Sequence, residues 1–144
     1  MSHTESDLTV GWREWVRLPG LGLDWIKAKV DTGARTSALH AFTVERFERD
    51  GSPWVRFDMH PVQGDNTTVV SCEAAIIDDR CVTDSGGHKE QRPVIKTQIM
   101  LGDEVRDIEM TLTDRDGMLF RMLLGRTAIQ QGVLVSPGQS FRLG

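Results

Sequence analysis

The stretch Ile26-Lys27-Ala28-Lys29-Val30-Asp31-Thr32-Gly33-Ala34 decides the fold, because an alternating segment there runs into a turn. Ile26, Ala28 and Val30 share one parity, and this period of two predicts a half-buried β-strand. The carboxylate of Asp31 therefore lies at the end of a rigid element and opens a loop. Loops held by a rigid scaffold are where functional groups are often found.

The loop after this strand carries the residue types that an aspartic peptidase needs. Asp31 supplies a fixed carboxylate, and Thr32 has a hydroxyl that can donate and accept hydrogen bonds. Gly33 lets a second group approach the backbone closely. Asp and Gly also favour ordinary turns, so the tripeptide alone leaves a plain turn open as the alternative.

A second segment, Met122-Leu123-Leu124-Gly125-Arg126-Thr127-Ala128-Ile129, strengthens the peptidase hypothesis. Its apolar run reaches Gly125, and a short helix is predicted from about Arg126 to Gln131, with Gly132 closing it. Together the two segments resemble the retropepsin-like aspartic peptidases. In that family an apolar strand leads into Asp-Thr-Gly-Ala, and a later apolar–apolar–Gly–Arg segment forms the core around the active site.

The flanking sequence makes the resemblance more specific, to a bacterial retropepsin-like family often labelled ATP-dependent zinc protease. The flanks that carry it are residues 11–16 (GWREWV), 18–19 (LP), 36–41 (TSALHA) and 92–95 (RPVI). The resemblance covers nearly the whole chain after residue 10. It implies that Asp31 is catalytic, that Thr32, Gly33 and Ala34 complete its loop, and that Leu124, Gly125 and Arg126 lie near it.

The chain is expected to form an all-β fold, a retropepsin-like closed barrel of short strands with one short C-terminal helix. Many short strands separated by turn signals favour a barrel or a sandwich on their own, and the resemblance selects the retropepsin-like form. The sequence predicts an extended segment over residues 37–48, turns at Asp50-Gly51 and residues 64–66, and a polar loop region from residue 78 to residue 92. The length of 144 residues suits one domain with its own core. We predict a flexible leader over residues 1–10 and a single domain over residues 11–144.

Charge and composition limit the partners and the cellular location. The net charge of −4 suggests neither nucleic acid nor an anionic membrane, because both favour basic patches. The leader lacks the apolar core of a secretory signal, and no apolar run is long enough to span a bilayer. Two cysteines give no disulfide framework and fit a reducing compartment, so the sequence predicts a cytoplasmic protein.

Aspartic peptidases need two carboxylates that share one proton, because like charges a few ångströms apart cannot both ionise. The chain offers one convincing Asp-Thr-Gly. The resemblance therefore implies a symmetric homodimer in which each subunit contributes one Asp31. It also implies that Thr32 of each subunit braces the opposite loop.

A second motif, Asp84-Ser85-Gly86, lies in polar surroundings that favour a hairpin tip over a buried strand end. We predict that residues 74–77 and 92–95 are the strands of a flap. Its tip, with Ser85, Gly86 and Gly87, would close over a peptide substrate. An ordinary solvated loop is the alternative.

Arg35 departs from the family pattern, in which an Asp commonly follows Asp-Thr-Gly-Ala and pairs with the Arg of the Gly-Arg segment. Arg126 must then find an acidic partner elsewhere. Asp114, Asp116 and Glu14 are the candidates, and a dimer contact organised differently from the family pattern is the alternative. Arg35 also makes the entrance to the cleft more basic, which favours an acidic substrate unless it is simply a solvated surface arginine.

The zinc and ATP of the family label find little support among the residues. The potential zinc ligands are His40, His60, His88, Cys72 and Cys81. Their spacing matches no recognised zinc motif, although a site assembled from distant strands stays open. We place Cys72 in a strand interior and His60 and His88 on the surface. No phosphate-binding Gly-x-x-x-x-Gly-Lys loop occurs, so we predict no ATP use, no metal and no cofactor.

The leading hypothesis is an aspartic endopeptidase that cleaves a peptide or protein substrate as a homodimer. One alternative is a non-catalytic module of the same fold that holds an extended peptide by β-augmentation. A zinc-dependent hydrolase is the other. The resemblance also implies a functional link to a glutamate ligase that modifies a ribosomal protein, an inference by association.

Overall fold

The structure is a computed structural model that describes residues 8–62, 67–83, 86–114, 120–129, 133–136, 138–141 and 143. Nearly all regular structure in these ranges is β-strand. The strands are β1 (Leu8–Gly11), β2 (Arg13–Leu18), β3 (Leu23–Asp31), β4 (Ser37–Ala41), β5 (Thr43–Arg49), β6 (Ser52–Met59), β7 (Val70–Ala75), β8 (Asp78–Thr83), β9 (Lys89–Leu101), β10 (Glu104–Asp114), β11 (Met122–Gly125) and β12 (Val133–Ser136).

Six strands close into a ring, in the order β10-β4-β11-β3-β2-β9, because β10 pairs with both β4 and β9. Strand β8 also belongs to this sheet and pairs with β9 on the edge opposite β10. The prediction of an all-β, retropepsin-like fold is confirmed. The predicted helix is shorter than expected: a 3-10 turn covers Arg126–Ala128, and residues 130–132 lie outside the described ranges.

The alternation read from the sequence places one face of each ring strand in the core. In β2 every second residue is buried, and in β3 Ile26 and Ala28 are completely buried. Leu39 of β4 and Leu124 of β11 meet them in the same cluster. Because burying apolar area is the main force that stabilises a fold, this shared core fixes the positions of β3, β4 and β11 relative to one another.

A three-stranded sheet, β5-β6-β7, extends the fold beyond the ring. Its first hairpin turns at Asp50 and Gly51, as predicted, and their φ angles of 54° and 77° are those that a tight hairpin turn requires. The predicted continuous strand over residues 37–48 is interrupted at Phe42, whose N–H bonds to the carbonyl of Asp58. The predicted turn at residues 64–66 falls outside the described residues.

The described chain begins with a strand inside the predicted leader. Strand β1 pairs in parallel with β12, Leu8 opposite Val133, and Val10 is completely buried. The boundary predicted after residue 10 thus falls within β1. Local composition gave no sign of this, because the partner strand comes from the other end of the sequence.

Candidate active site

Asp31 is the last residue of β3, where three strands fix its backbone. Strand β11 lies between β3 and β4 and runs parallel to β3, with Gly125 opposite Asp31. The N–H of Val30, one residue earlier, donates to the carbonyl of Trp12 at 2.8 Å. The carboxylate therefore starts from a backbone that tertiary pairing holds on both sides.

The loop that follows orients the Asp31 side chain. The N–H of Gly33 donates to Oδ1 of Asp31 at 3.0 Å, and the N–H of Ala34 donates to the Asp31 carbonyl at 3.2 Å. A Cβ added to Gly33 would lie 3.3 Å from that same Oδ1. Asp31 is half-buried, while Thr32 and Gly33 are exposed, so the carboxylate is oriented and the loop is accessible.

Residues 125–127 hold the far side of the loop. The N–H of Arg126 donates to the carbonyl of Ala34 at 2.8 Å, and the N–H of Thr127 donates to that of Arg35 at 3.1 Å. The N–H of Gly125 donates to Oγ of Ser37 at 3.0 Å. The structure thus brings together the two sequence segments that the peptidase hypothesis depends on.

The guanidinium of Arg126 caps the loop through backbone carbonyls. Its Nη1 donates to the carbonyl oxygens of Gly33 at 3.3 Å and Thr32 at 3.5 Å. The expectation that Glu14 is its acidic partner is wrong: the Glu14 carboxylate is completely buried and accepts the N–H groups of Gly11 and Leu143. The other two candidates are Asp114 and Asp116. The side chain of Asp114 and the whole of Asp116 lie outside the described part of the chain.

Arg35 stands at the end of this loop with its side chain exposed. Its carbonyl accepts a hydrogen bond from the N–H of Thr127, so the backbone at this position is fixed. Among the described residues no carboxylate forms an ion pair with it. An arginine that forms no ion pair among the described residues therefore lies four residues along the chain from the candidate catalytic carboxylate.

The predicted flap corresponds to a hairpin whose strands differ from the expected ones. Strand β8 pairs with the start of β9 from Asp78 opposite Val94 to Thr83 opposite Lys89. The polar residues 78–83, expected to be loop, form the first strand because β9 extends far enough to pair with them. Gly86 and Gly87 lie at the exposed tip, whereas Asp84 and Ser85 lie outside the described ranges.

Ser37 is a site residue that the sequence did not reveal. It is completely buried. Its Oγ accepts the Gly125 N–H, and its carbonyl accepts a hydrogen bond from Oγ1 of Thr111 at 3.3 Å. A single serine after a turn carries no signal of this, because its partners come from β10 and β11.

The potential zinc ligands are dispersed. Cys72 is buried as predicted, and burial raises the pKa of its thiol to about 11. The surface prediction is confirmed for His88 and wrong for His60, whose ring is buried in a stack 4.2 Å from the ring of Phe42. His40 is buried with its Nδ1 2.8 Å from the Phe120 carbonyl. Within the described ranges, no three His, Cys, Asp or Glu side chains are placed to hold a metal ion together.

Residues 9–142 match the family described as "RimB-like: Retropepsin-like aspartic endopeptidase RimB". The chain belongs to this family. The match spans β1 to the segment beyond β12, so it includes both the Asp31 loop and the 125–127 segment that holds it. The resemblance read from the sequence is thereby confirmed.

Curated relatives of this RimB-like chain are longer proteins. It is 44% identical over 141 residues to a "Probable alpha-L-glutamate ligase" of Shewanella pealeana and 49% identical over 137 residues to one of Parasynechococcus marenigrum. The alignments cover 98% and 95% of this chain but 31% and 29% of those proteins. The RimB-like chain thus spans about three tenths of their length.

A crystal structure from Legionella pneumophila, of a protein described as having unknown function, has the same fold. Its TM-score is 0.75 and its sequence identity 33%, with 95% of this chain and 98% of that chain covered. Among the described residues of the RimB-like chain, no helix is long and apolar enough to cross a membrane.

Proposed function

We propose that this RimB-like chain is an aspartic endopeptidase that acts as a homodimer. The observation that carries the proposal is the Asp31 carboxylate, which the Gly33 N–H holds in one orientation on an accessible loop. Catalysis by this family's chemistry needs a second carboxylate next to the first. A two-fold axis beside the loop supplies it as Asp31 of the partner subunit.

The two carboxylates act on water and on the scissile carbonyl. Because like charges this close cannot both ionise, the pair holds one proton over a range of pH. The ionised member accepts a proton from the attacking water, and the protonated member donates a hydrogen bond to the carbonyl oxygen. Activity then follows a bell-shaped pH profile, high where the pair carries one proton.

The β8–β9 hairpin is the proposed flap. Its tip, residues 85–87, contains two glycines, and glycine lets an extended peptide approach the backbone closely. Closing the hairpin over the substrate excludes water other than the attacking molecule. Thr32 of each subunit is the proposed brace between the two loops.

Arg35 is the proposed determinant of substrate charge. Its exposed guanidinium has no carboxylate partner in the described chain, and an arginine fork binds a carboxylate through two parallel hydrogen bonds. We therefore propose an acidic peptide as substrate. Relatives named as glutamate ligases support a link to a ligase that modifies a ribosomal protein. The low number of cysteines in this chain fits a cytoplasmic location.

A non-catalytic peptide-binding module is the second candidate, favoured by the ligase names of the longer relatives. In such a protein the region would present a peptide to another activity. The two candidates differ in one respect that an experiment can reach, because only the peptidase needs the Asp31 carboxylate for bond cleavage.

The test is cleavage of an unfolded protein substrate and a glutamate-rich peptide between about pH 3 and pH 8. Asp31→Asn is compared with Asp24→Asn, a matched change at an exposed aspartate of the same strand. A chelator is added in parallel. Cleavage lost only in Asp31→Asn and unchanged by chelator supports the peptidase. Cleavage that survives Asp31→Asn contradicts it, and loss on chelation favours the zinc hydrolase.

A further inference from the structure

The outer face of the β2–β3 hairpin interleaves positive charges with aromatic rings. The guanidinium of Arg13 lies 4.5 Å from the ring centre of Trp12 and 5.0 Å from that of Phe141. The ammonium of Lys27 lies 5.4 Å from the ring of Trp15, which itself stacks on Phe141. Cations placed over ring faces in this way are attracted by the negative face of the π system.

The same pattern continues to the other end of the hairpin. Arg17 lies 5.4 Å from the ring of Trp25, and Lys29, directly opposite Arg13 in the register, is exposed. From Trp25 to Lys29 the face runs roughly 13 Å along the strand, at about 3.3 Å per residue. The outward positions of the two strands carry four cations and two carboxylates: Asp24, which pairs with Arg17, and Asp31 at the end of β3.

These cations differ from the arginines of strands β5–β10. Every arginine on strands β5–β10 forms an ion pair with a carboxylate. The pairs are Arg46–Asp79, Arg49–Glu73, Arg56–Glu73, Arg80–Glu109, Arg92–Glu90 and Arg106–Glu104. On the β2–β3 face, by contrast, Arg13, Lys27 and Lys29 have no carboxylate partner within the described residues.

Trp25 projects from this face, and its backbone adopts a strained conformation there. Arg17 lies opposite two residues, Asp24 and Trp25, which is the geometry of a β-bulge. The φ of Trp25 is +52°, a conformation that a bulky side chain rarely adopts. The residue is nevertheless 58% exposed, so burial of its side chain is not what offsets the strain. Strained residues of this kind cluster at sites of function.

We propose that the outer face of the β2–β3 hairpin binds single-stranded nucleic acid. Arg13, Lys27 and Lys29, which have no carboxylate partner within the described residues, give the positive charge that a phosphate backbone requires. The exposed ring of Trp25 supplies a surface on which a base stacks. An acidic peptide would use the cations but would leave the tryptophan without a role, so the combination favours a ligand that has both charge and π faces.

The net charge of −4 is a sum over the whole chain and does not describe the charge of this face. The proposal is independent of the peptidase proposal, because it uses neither the Asp31 carboxylate nor the flap. Asp31→Asn removes a negative charge at the end of this face and is therefore expected to bind nucleic acid at least as tightly as the wild type, whatever its effect on cleavage.

The test is fluorescence anisotropy with a labelled oligouridylate and the DNA strand of matching length, at low and at physiological salt. Lys27→Gln and Lys29→Gln are each compared with Lys96→Gln, which removes one exposed lysine from β9. Trp25→Gly removes the ring and also relieves the positive φ, so this variant is expected to fold at least as well as the wild type. A glutamate-rich peptide of similar charge serves as competitor.

The proposal expects binding that weakens with salt and falls about five-fold or more in Trp25→Gly, as loss of one stacked base implies. Each of Lys27→Gln and Lys29→Gln should reduce the slope of log affinity against log salt by about 0.7, the value per phosphate contact on a single strand. Lys96→Gln should change neither quantity. Absence of binding, equal loss in Lys96→Gln, or binding of the acidic peptide in preference to the oligonucleotides would overturn the proposal.

Discussion

Gly125 lies directly against the backbone of Thr36. A Cβ added to Gly125 would lie 2.6 Å from the Thr36 carbonyl carbon and 2.8 Å from its oxygen. Both partners are main-chain atoms, so a side chain at this position has no flexible neighbour that could yield. This contact sets the spacing between β11 and the end of the Asp31 loop, and a glycine is the residue that permits it.

Gly125→Ala is therefore expected to destabilise the protein by about 1–3 kcal/mol, the usual cost of overpacking a tight contact. Peptidase activity should fall with it, because the displaced backbone carries the loop. Gly138→Ala is the matched control, since no atom lies within 4 Å of a Cβ there. Thermal unfolding measures both variants, and equal melting temperatures for the two would contradict the close-contact explanation.

Arg126→Ala should separate activity from stability. The guanidinium is exposed and bonds to the Thr32 and Gly33 carbonyls, so its loss is expected to cost at most about 1 kcal/mol of stability. The loop carrying Asp31 loses its cap, and kcat should fall roughly ten-fold because small misplacements of catalytic groups are costly. Steady-state kinetics with a melting curve tests this. An unchanged kcat would show that the backbone bonds alone position the loop.

Arg35→Asp replaces the unpaired cation with the acid that the family commonly carries at this position. We expect the new carboxylate to pair with Arg126 and the preference for acidic peptides to fall, mainly through a higher KM. Lys96→Asp, which makes the same change of charge at an exposed position of β9 beyond its pairing with β8, controls for net charge. Competition between acidic and neutral peptides measures the preference. If both variants shift it equally, long-range charge rather than Arg35 determines specificity.

The two cysteines should react with thiol reagents at very different rates. Burial, reinforced by the negative charge of Asp58, raises the pKa of Cys72 to about 11. Cys72 is therefore both protonated and covered at neutral pH, whereas Cys81 is exposed. Because the thiolate is the reactive form, iodoacetamide should label one thiol per chain until the protein unfolds. Rapid labelling of Cys72 in native protein, read by peptide mass, would contradict this placement.

Lowering the pH should remove the contribution that the ionised Asp58 carboxylate makes to the stability of the fold. Hydrogen bonds from Ser71 and then Thr43, with the charge of Arg56, hold the pKa of Asp58 below its ordinary value of 3.8. A carboxyl whose folded pKa is depressed stabilises the fold above its unfolded pKa, and this contribution is lost as pH falls through the folded pKa.

Ser71→Ala weakens that contribution, so its stability deficit should be larger near about pH 7 than near about pH 2. Denaturant unfolding at the two pH values measures the deficit, with Ser52→Ala, an exposed serine of the same sheet, as the control. A deficit that is independent of pH would mean that the Ser71 hydroxyl acts through packing rather than through the Asp58 charge.

Local pattern was sufficient for several elements of this chain. Alternation at Ile26, Ala28 and Val30 identified β3 and placed Asp31 at its end. The Asp50-Gly51 pair identified the first hairpin, because its positive φ angles are a local demand that glycine meets and aspartate tolerates. In both cases the deciding interactions lie within a few residues, so the sequence contains them directly.

The sequence by itself thus determined the strands, the family and the residue at the centre of the candidate site. Tertiary structure alone decided that Ser37 bonds to Gly125, that Arg126 bonds to loop carbonyls, that His60 stacks on Phe42 in a buried position, and that residues 78–83 form a strand paired with β9. Each of these depends on a partner from a distant part of the chain. Such a partner is selected by the free energy of the whole packed fold, which no local pattern records.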